Sequence, residues 1–246
     1  MIFLLLIFVL SSCTSSYPCS VQDTSCTRIL FIGNSYTFVN DLPNTFAELA
    51  KSGKHKVEVG MSAQGGWTLA DHVKSTDTQN AIHSKKWAYV VLQEQSQIPS
   101  VGQSRTYTMY PAARTLVKQV RAIGATPLFF LTWAHRDGWS EYGMKTYESM
   151  QYEINNGYNG IAGELNVTVV PVGSVWMAAV RAHPELALWQ EDGSHPTGEG
   201  TYLAACVFYA TIFKESPLGL KYRASLSKEV ATALQTIASK TVLSTP

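Results

Sequence analysis

The sequence lacks any strong imbalance of charge. Its 246 residues include 19 Lys and Arg against 18 Asp and Glu, which gives a formal net charge of +1, and no long run of like charge occurs. Proteins that bind nucleic acid or acidic membrane surfaces through charge carry basic patches. The composition therefore gives no support to nucleic acid or an acidic membrane surface as the main partner.

Cysteine is scarce, and none of the four cysteines has the spacing of a zinc site. Cys19 and Cys26 lie in a polar segment, where a local disulfide is plausible in an exported chain, although the sequence leaves open whether they pair. Cys206 lies in an apolar helical pattern and is predicted to be a small core residue. We expect neither a metal nor a cofactor.

Long apolar runs are absent except at the N-terminus. The run from Ile2 to Leu10 is too short to span a bilayer, which needs about 20 residues. It fits the core of a secretory signal peptide, although no Lys or Arg precedes it. The run also ends in Leu10-Ser11-Ser12-Cys13, which resembles a bacterial lipobox, so a cleaved signal and a lipid anchor on Cys13 stay open. Residues 1–13 are thus predicted to be an export signal, residues 14–27 a Ser/Thr-rich tether and residues 28–246 the folded domain.

Apolar residues make up 46% of the chain, enough for a sizeable core, and five apolar runs alternate with helical patterns. The predicted strands are Arg28–Ile32, Lys54–Val59, Trp87–Leu92, Thr126–Trp133 and Val167–Val172. The predicted helices are Asp41–Ala50, Thr68–Lys74, Tyr107–Ile123, Tyr142–Leu165 with interruptions near Gly157 and Gly160, Ser174–His183, a helix capped by Thr197 that runs to Phe213, and Ser225–Ser239. This alternation predicts an α/β fold, a flavodoxin-like three-layer α/β/α sandwich with a five-stranded parallel sheet.

Polar residues follow directly after several predicted strands. Gly33-Asn34-Ser35 follows the first strand, and ligands of parallel α/β sheets bind beyond the carboxyl ends of the strands. The same three residues are also common in plain turns. Ser35 is therefore a candidate nucleophile whose role depends on what other strand ends bring to it.

Nucleophilic acyl transfer needs a hydroxyl, a base, a group that orients the base, and donors for the developing oxyanion. Asp192 and His195 lie three residues apart before a predicted helix, where carboxylate and imidazole can lie side by side. Gly66 follows the second strand and can offer a bare backbone N–H. Gln95 follows the third strand and carries an amide donor.

These segments together resemble the sequence blocks of the SGNH (GDSL-like) hydrolases. The matching stretches are Gly33-Asn34-Ser35, Gly66-Trp67-Thr68, the turn at residues 92–96, and Asp192-Gly193-Ser194-His195-Pro196. The resemblance covers essentially the whole chain after Thr27. It implies a flavodoxin-like esterase whose triad is Ser35, His195 and Asp192. The implied oxyanion donors are the backbone N–H groups of Ser35 and Gly66 and the side-chain amide of Gln95.

The third block departs from the family pattern. Where the family has Gly-x-Asn, this chain has Gln93-Glu94-Gln95. Gln95 carries the same amide as Asn on a stem longer by one methylene. The Cβ of Gln93 is expected to hold the turn away from the substrate, so that the two changes compensate. The change also leaves open a non-catalytic glycan- or ligand-binding lipoprotein on the same fold.

Other residues allow competing interpretations. His135 and Asp137, after the fourth strand, form an alternative base pair on the same edge. His72 beside Asp71 suggests a metal, but no third ligand lies nearby, which favours a solvated helix face. Trp67 and Trp133 lie near predicted loop ends, where packing is their default role. A stacking wall for the substrate is the alternative.

The sequence as a whole predicts an exported serine esterase: secreted, periplasmic or anchored to a membrane only through an N-terminal lipid. Its expected substrate is a small-molecule or glycan ester, with an acetylated carbohydrate as the first choice and a lipid ester as the second. Fold alone does not establish this activity.

Overall fold

The computed structural model describes residues 19–20 and 22–244. The predicted export signal lies outside the described residues, as does residue range 14–18 of the tether, so both stay predictions. Cys19 and Cys26, whose pairing the sequence left open, form a disulfide, and Cys206 is buried in the core as expected. Within the described part, no helix has the length and apolar character needed to cross a membrane.

The sheet has five parallel strands in the order β2-β1-β3-β4-β5. The strands are β1 (Thr27–Gly33), β2 (Val57–Ala63), β3 (Tyr89–Leu92), β4 (Thr126–Phe130) and β5 (Thr168–Val170). Because β1 pairs with a strand on each side and is covered on both faces, its sequence is a continuous apolar run. This order confirms the flavodoxin-like topology, with the first strand inside the sheet.

Ten α-helices surround the sheet within the described residues. They are α1 (Ser35–Phe38), α2 (Leu42–Ser52), α3 (Leu69–Lys74), α4 (Thr76–His83), α5 (Gly102–Ser104), α6 (Tyr110–Ala122), α7 (Tyr147–Leu165), α8 (Val172–Ala182), α9 (Gly198–Phe213) and α10 (Lys228–Leu243). Short 3₁₀ turns occur at Ile98–Ser100 and Ser140–Tyr142, and a π-helical turn at Arg105–Met109. Helices α2, α8, α9 and α10 pack together, and α3, α4, α6 and α7 form a second group. The chain moves from β1 to β2 in one direction and from β2 to β5 in the other, so right-handed crossovers place these groups on opposite faces.

Strand β2 and helix α4 differ from the sequence prediction. Strand β2 begins three residues later than expected and runs to Ala63, because it pairs along the whole length of β1. It lies at the edge of the sheet and is only half-buried, so its apolar pattern is weak. Helix α4 was not predicted, since its sequence is mostly polar; it begins at a cap in which the Ser75 side chain accepts the Thr78 N–H.

Helix α7 is continuous, contrary to the predicted interruptions at Gly157 and Gly160. A Cβ on Gly157 would lie 2.4 Å from the Pro99 carbonyl oxygen, and one on Gly160 would lie 2.9 Å from the Tyr110 hydroxyl. These glycines therefore allow the 3₁₀ turn Ile98–Ser100 and the start of α6 to pack closely against α7. Close packing, and not a break in the helix, explains their presence.

Candidate active site

Ser35 lies at the carboxyl edge of the sheet, as the first residue of α1 directly after β1. Asn34 caps this short helix, because its Oδ1 accepts the Tyr36 N–H at 3.1 Å. Ser35 is half-buried in a cavity of about 400 Å³. The lining of that cavity includes Gly66, Gln95 and His135, which follow three other strands, and His195 from the loop before α9.

A chain of hydrogen bonds joins the three predicted triad residues. His195 Nε2 lies 3.0 Å from Ser35 Oγ, and His195 Nδ1 lies 2.5 Å from Asp192 Oδ2. A carboxylate can only accept, so the Nδ1–H donates to it and the neutral ring presents Nε2 to Ser35 as an acceptor. The structure thus brings together the three groups in the order that proton transfer from Ser35 requires.

The Asp192 carboxylate is held by its own loop. Its Oδ1 accepts the backbone N–H groups of Ser194 at 2.9 Å and His195 at 3.0 Å. Partial burial acts to raise the pKa of Asp192, but the hydrogen bonds from His195 and from these N–H groups outweigh it and lower the pKa to about 2. The carboxylate is therefore ionised throughout the ordinary pH range.

A stack of three aromatic rings supports the His195 loop. Trp133 lies between Tyr36, at a centroid distance of 4.5 Å, and Trp176, at 4.1 Å. The Trp133 indole N–H donates to the Ser194 carbonyl at 2.9 Å, and Tyr36 meets the edge of the His195 ring. Trp133 is completely buried, so the idea that it forms a stacking wall for substrate is wrong. It stabilises the loop that carries the triad.

Gln93 braces the nucleophile turn from within the core. Its buried side chain accepts the Asn34 N–H at 2.8 Å and the Thr37 hydroxyl at 2.9 Å, and it donates to Asn34 Oδ1 at 3.0 Å. A Cβ on Gly33 would lie 2.3 Å from Gln93 Oε1, so Gly33 is needed for space. Gln93 acts on the Asn34 turn beneath the site; the expected push of its Cβ on the substrate side is not what the structure shows.

Glu94 joins the loop after β2 to the loop after β3. Its side chain is buried, and its Oε1 accepts the Leu69 N–H at 3.1 Å and the Gln95 N–H at 2.7 Å. Its Oε2 is buried and has no partner among the described residues. Burial raises the pKa of Glu94 to about 7, and the two N–H groups only partly oppose this rise.

Three N–H donors are available around Ser35. The backbone N–H groups of Ser35 and Gly66 meet no acceptor within the described part of the chain. Gly66 has φ +74° in a turn closed by Trp67 N–H to Gln64 O, which favours glycine. Gln95 lines the cavity; its Oε1 accepts the Gln97 and Ile98 N–H groups, while its Nε2 makes only long contacts of 3.4 and 3.5 Å.

His72 does not lie on a solvated helix face, as expected from the sequence, but is completely buried. Its Nε2 lies 2.8 Å from the Gly33 carbonyl and its Nδ1 lies 2.8 Å from the Thr78 hydroxyl. Burial lowers the pKa of His72. Trp67 is half-buried against His72, and its carbonyl accepts the Asn34 amide at 2.9 Å. Both residues support the Asn34 turn.

The alternative base pair is not assembled. Asp137 is 81% exposed and contacts Arg136, whereas His135 lines the Ser35 cavity and lies 3.3 Å from Ser96 Oγ. Burial lowers the pKa of His135. The nearby Asp192 carboxylate acts to raise this pKa, and His195 makes a smaller contribution that lowers it. His135 is thus a neutral wall residue of the cavity without a carboxylate to orient it.

The fold recurs in solved structures. A candidate SGNH hydrolase from Slackia heliotrinireducens is 29% identical, with a TM-score of 0.65, over 76% of this chain and 99% of that protein. This similarity supports membership of the SGNH (GDSL-like) hydrolase superfamily.

Solved structures of lower sequence identity cover a similar share of this chain. A DUF4886 family protein from Bacteroides uniformis is 19% identical over 89% of this chain and 95% of its own, with a TM-score of 0.77. A variant of an acetyl-xylooligosaccharide esterase from Geobacillus is 16% identical over 80% and 97%, with a TM-score of 0.60. The sequence matches no family model and no curated protein.

Sequence reasoning missed several residues of this SGNH site. Ser96, Gln97 and Ser194 line the cavity, and Glu94 holds two of its loops. Ser96 and Gln97 directly follow Gln95, which the sequence had already placed at the site, so their position along the chain could have indicated that they line the cavity. Nothing in the sequence marked Glu94, because its burial depends on loops distant along the chain.

Proposed function

We propose that this protein is a serine esterase that hydrolyses carboxylic esters through an acyl-enzyme. The observation that carries the proposal is the continuous hydrogen-bonded chain from Ser35 through His195 to Asp192 at the mouth of a cavity. Superfamily membership supports the hydrolase class, and several solved structures of this fold are described as esterases.

Each residue then has one role in the reaction. Ser35 Oγ attacks the ester carbonyl carbon while His195 Nε2 takes its proton, and Asp192 stabilises the imidazolium that forms. The oxyanion accepts hydrogen bonds from the Ser35 and Gly66 N–H groups and from Gln95 Nε2. His195 then protonates the leaving alcohol. Water, deprotonated by the same ring, releases the acid and restores Ser35.

The cavity favours a short acyl group on a polar alcohol. Its described lining consists of glycines and of polar or aromatic side chains such as Gln95, Ser96, Gln97 and His135, with no aliphatic side chain. A long alkyl chain would gain little by leaving water for such walls. An acetylated carbohydrate is therefore the substrate that we propose, and a lipid ester fits less well.

Export is part of the same proposal. The apolar run at Ile2 to Leu10 suits an export signal. The Cys19–Cys26 disulfide suits the oxidising compartment that an exported protein reaches. Whether residue Cys13 is lipidated decides between a secreted or periplasmic enzyme and an anchored one.

The decisive experiment combines labelling with turnover. The purified protein is treated with a fluorophosphonate, digested and mapped, and hydrolysis of p-nitrophenyl acetate is measured in parallel with Ser35→Ala. We expect modification at Ser35 and loss of both signals in the variant. Absence of labelling and turnover in the folded parent would contradict the esterase and favour a non-catalytic binding protein.

A further inference from the structure

A second cavity of about 540 Å³ opens near the site. We call it the tyrosine cleft; its lining includes Ser100, Tyr142, Met144, Ser149, Tyr152 and Glu153. Its volume lies in the range of about 300–1,000 Å³ that is typical of small-molecule sites. The triad does not use any of these residues.

The two cavities are bordered by the same two loops. The loop after β3 lines the Ser35 cavity with Gln97 and the tyrosine cleft with Ser100, and the Ser100 hydroxyl donates to the Gln97 carbonyl at 2.7 Å. The loop after β4 lines the first cavity with His135 and the cleft with Tyr142. A ligand longer than one pocket can therefore follow these loops from one cavity to the other.

Two aromatic rings of the cleft face solvent. Tyr142 is 56% exposed and Tyr152 is 65% exposed. Tyr142 is held in place, because its ring packs on Trp139 at 4.0 Å and its loop closes through Trp139 N–H to Met144 O at 2.6 Å. Large apolar surfaces kept in water and held in position are typical of ligand-binding grooves.

The polar groups of the cleft are also fixed. Arg105 donates to Glu153 Oε2 at 2.9 Å and to the Glu153 carbonyl at 3.0 Å. Glu153 Oε1 accepts no hydrogen bond within the described residues and is available to a ligand. Aromatic faces beside hydroxyl and carboxylate acceptors match a sugar ring, which has an apolar C–H face and an edge of hydroxyl donors.

We propose that the tyrosine cleft binds the carbohydrate part of the ester substrate while the acyl group lies at Ser35. The inference rests on the proposed esterase function and deepens it, since it makes the substrate an esterified oligosaccharide and not a small free ester. Tyr142 and Tyr152 provide the stacking faces, and Glu153 accepts the sugar hydroxyls.

The test compares two substrates in the full-length protein. The probes are p-nitrophenyl acetate and a panel of chemically O-acetylated cellotetraose, xylotetraose and mannotetraose. For each variant, kcat/KM for the acetylated tetrasaccharide that the parent hydrolyses is divided by kcat/KM for p-nitrophenyl acetate. We expect this ratio to fall about 10-fold in the Tyr142→Ala, Tyr152→Ala double variant. The fall should appear as a higher KM for the tetrasaccharide.

Two control variants keep the result interpretable. Tyr107→Ala removes a tyrosine that is 76% exposed but does not line the cleft, and it should leave both rates unchanged. The Tyr142→Phe, Tyr152→Phe double variant keeps both rings and should keep the ratio. Unfolding midpoints of all variants show whether any loss reflects a misfolded chain.

Binding without turnover separates this inference from the esterase itself. Ser35→Ala, titrated with the non-acetylated tetrasaccharides and followed by NMR, should bind at least one of them and lose that binding when both tyrosines become Ala. If the parent hydrolyses p-nitrophenyl acetate but the ratio is unchanged in the double variant, or no acetylated tetrasaccharide is accepted, the cleft proposal is wrong and the esterase stands. If the parent does not hydrolyse p-nitrophenyl acetate, the esterase fails, and loss of tetrasaccharide binding in the double variant still supports the cleft.

Discussion

The loop that carries Asp192 and His195 and the segment that follows β3 border the same cavity, but they are stabilised differently. In the first, the Asp192 carboxylate bonds groups no more than three residues away, so the geometry is local. In the second, Gln93 and Glu94 bond groups from Asn34 to Leu69, on other elements. Local geometry can be anticipated from spacing, whereas the role of a buried side chain such as Gln93 depends on distant neighbours.

The largest expected effect compares the two histidines of the cavity. His195→Ala should lower kcat by about 10⁴–10⁶-fold, because the triad acts as a unit. His135→Ala should cost far less, since His135 has no carboxylate partner. Steady-state kinetics with p-nitrophenyl acetate from pH 5 to 9 checks this. If the acid limb of kcat/KM survives in His195→Ala but disappears in His135→Ala, the general base is His135, in the loop after β4, and not His195.

The next prediction concerns the donor on Gln95. Gln95→Glu keeps an oxygen for the Gln97 and Ile98 N–H groups but replaces the Nε2 donor with a carboxylate oxygen. We expect kcat to fall by about 10²–10³-fold or more, with little change in KM. Gln95→Ala also removes the contacts to the turn, and its kcat should fall by at least about 10²-fold. Parent-like turnover by Gln95→Ala would restrict the donors to Ser35 and Gly66.

A third prediction tests the brace beneath the nucleophile. Gln93→Gly restores the usual family residue, yet it leaves the Asn34 N–H and the Thr37 hydroxyl buried without an acceptor. We expect a loss of about 2–4 kcal/mol in the free energy of unfolding, measured in urea. Adding Gln93→Gly to the Gln95→Asn variant should not recover the esterase activity that Gln95→Asn loses. Recovery of activity in that double variant would restore the view that the two changes compensate at the substrate.

The last expected effect is the pH dependence of stability contributed by Glu94. Its pKa in the folded protein is about 7, above the ordinary value of 4.5, so the folded state binds more protons between these values. The contribution of Glu94 to stability is therefore fully present below about pH 4.5 and is lost as the pH rises towards 7.

Glu94→Gln imitates the protonated carboxyl at every pH. Relative to the parent, the variant should gain stability as the pH rises from about 4.5 to 7, by up to about 3 kcal/mol. Urea unfolding at half-unit intervals of pH measures the difference. Glu153→Gln, on a half-exposed carboxylate, is the matched control. If the difference in the free energy of unfolding between parent and variant does not change with pH, Glu94 does not titrate between about pH 4.5 and 7.

Much of the fold and the triad could be predicted from the sequence. The apolar runs of β1, β3 and β4 specify strands because these inner strands are buried on both faces, and the order of crossovers follows from alternation with helices. Ser35, Asp192 and His195 were identified because a strand end and a three-residue spacing are local features. The disulfide between Cys19 and Cys26 was plausible for the same reason, but the sequence alone did not decide it.

Tertiary structure alone decided what the neighbouring polar and aromatic residues do. His72 was expected on a solvated helix face, and for Trp133 a packing role and a substrate wall were both open; both are completely buried, where they hold Gly33 and Ser194. Glu94 is an acid with a pKa of about 7 only because it is buried where its own loop meets Leu69 of α3 and Tyr158 of α7. Sequence spacing determines which side chains are close along the chain. Burial and partners that come from distant segments are settled only when the whole sheet and both helix layers have closed around them.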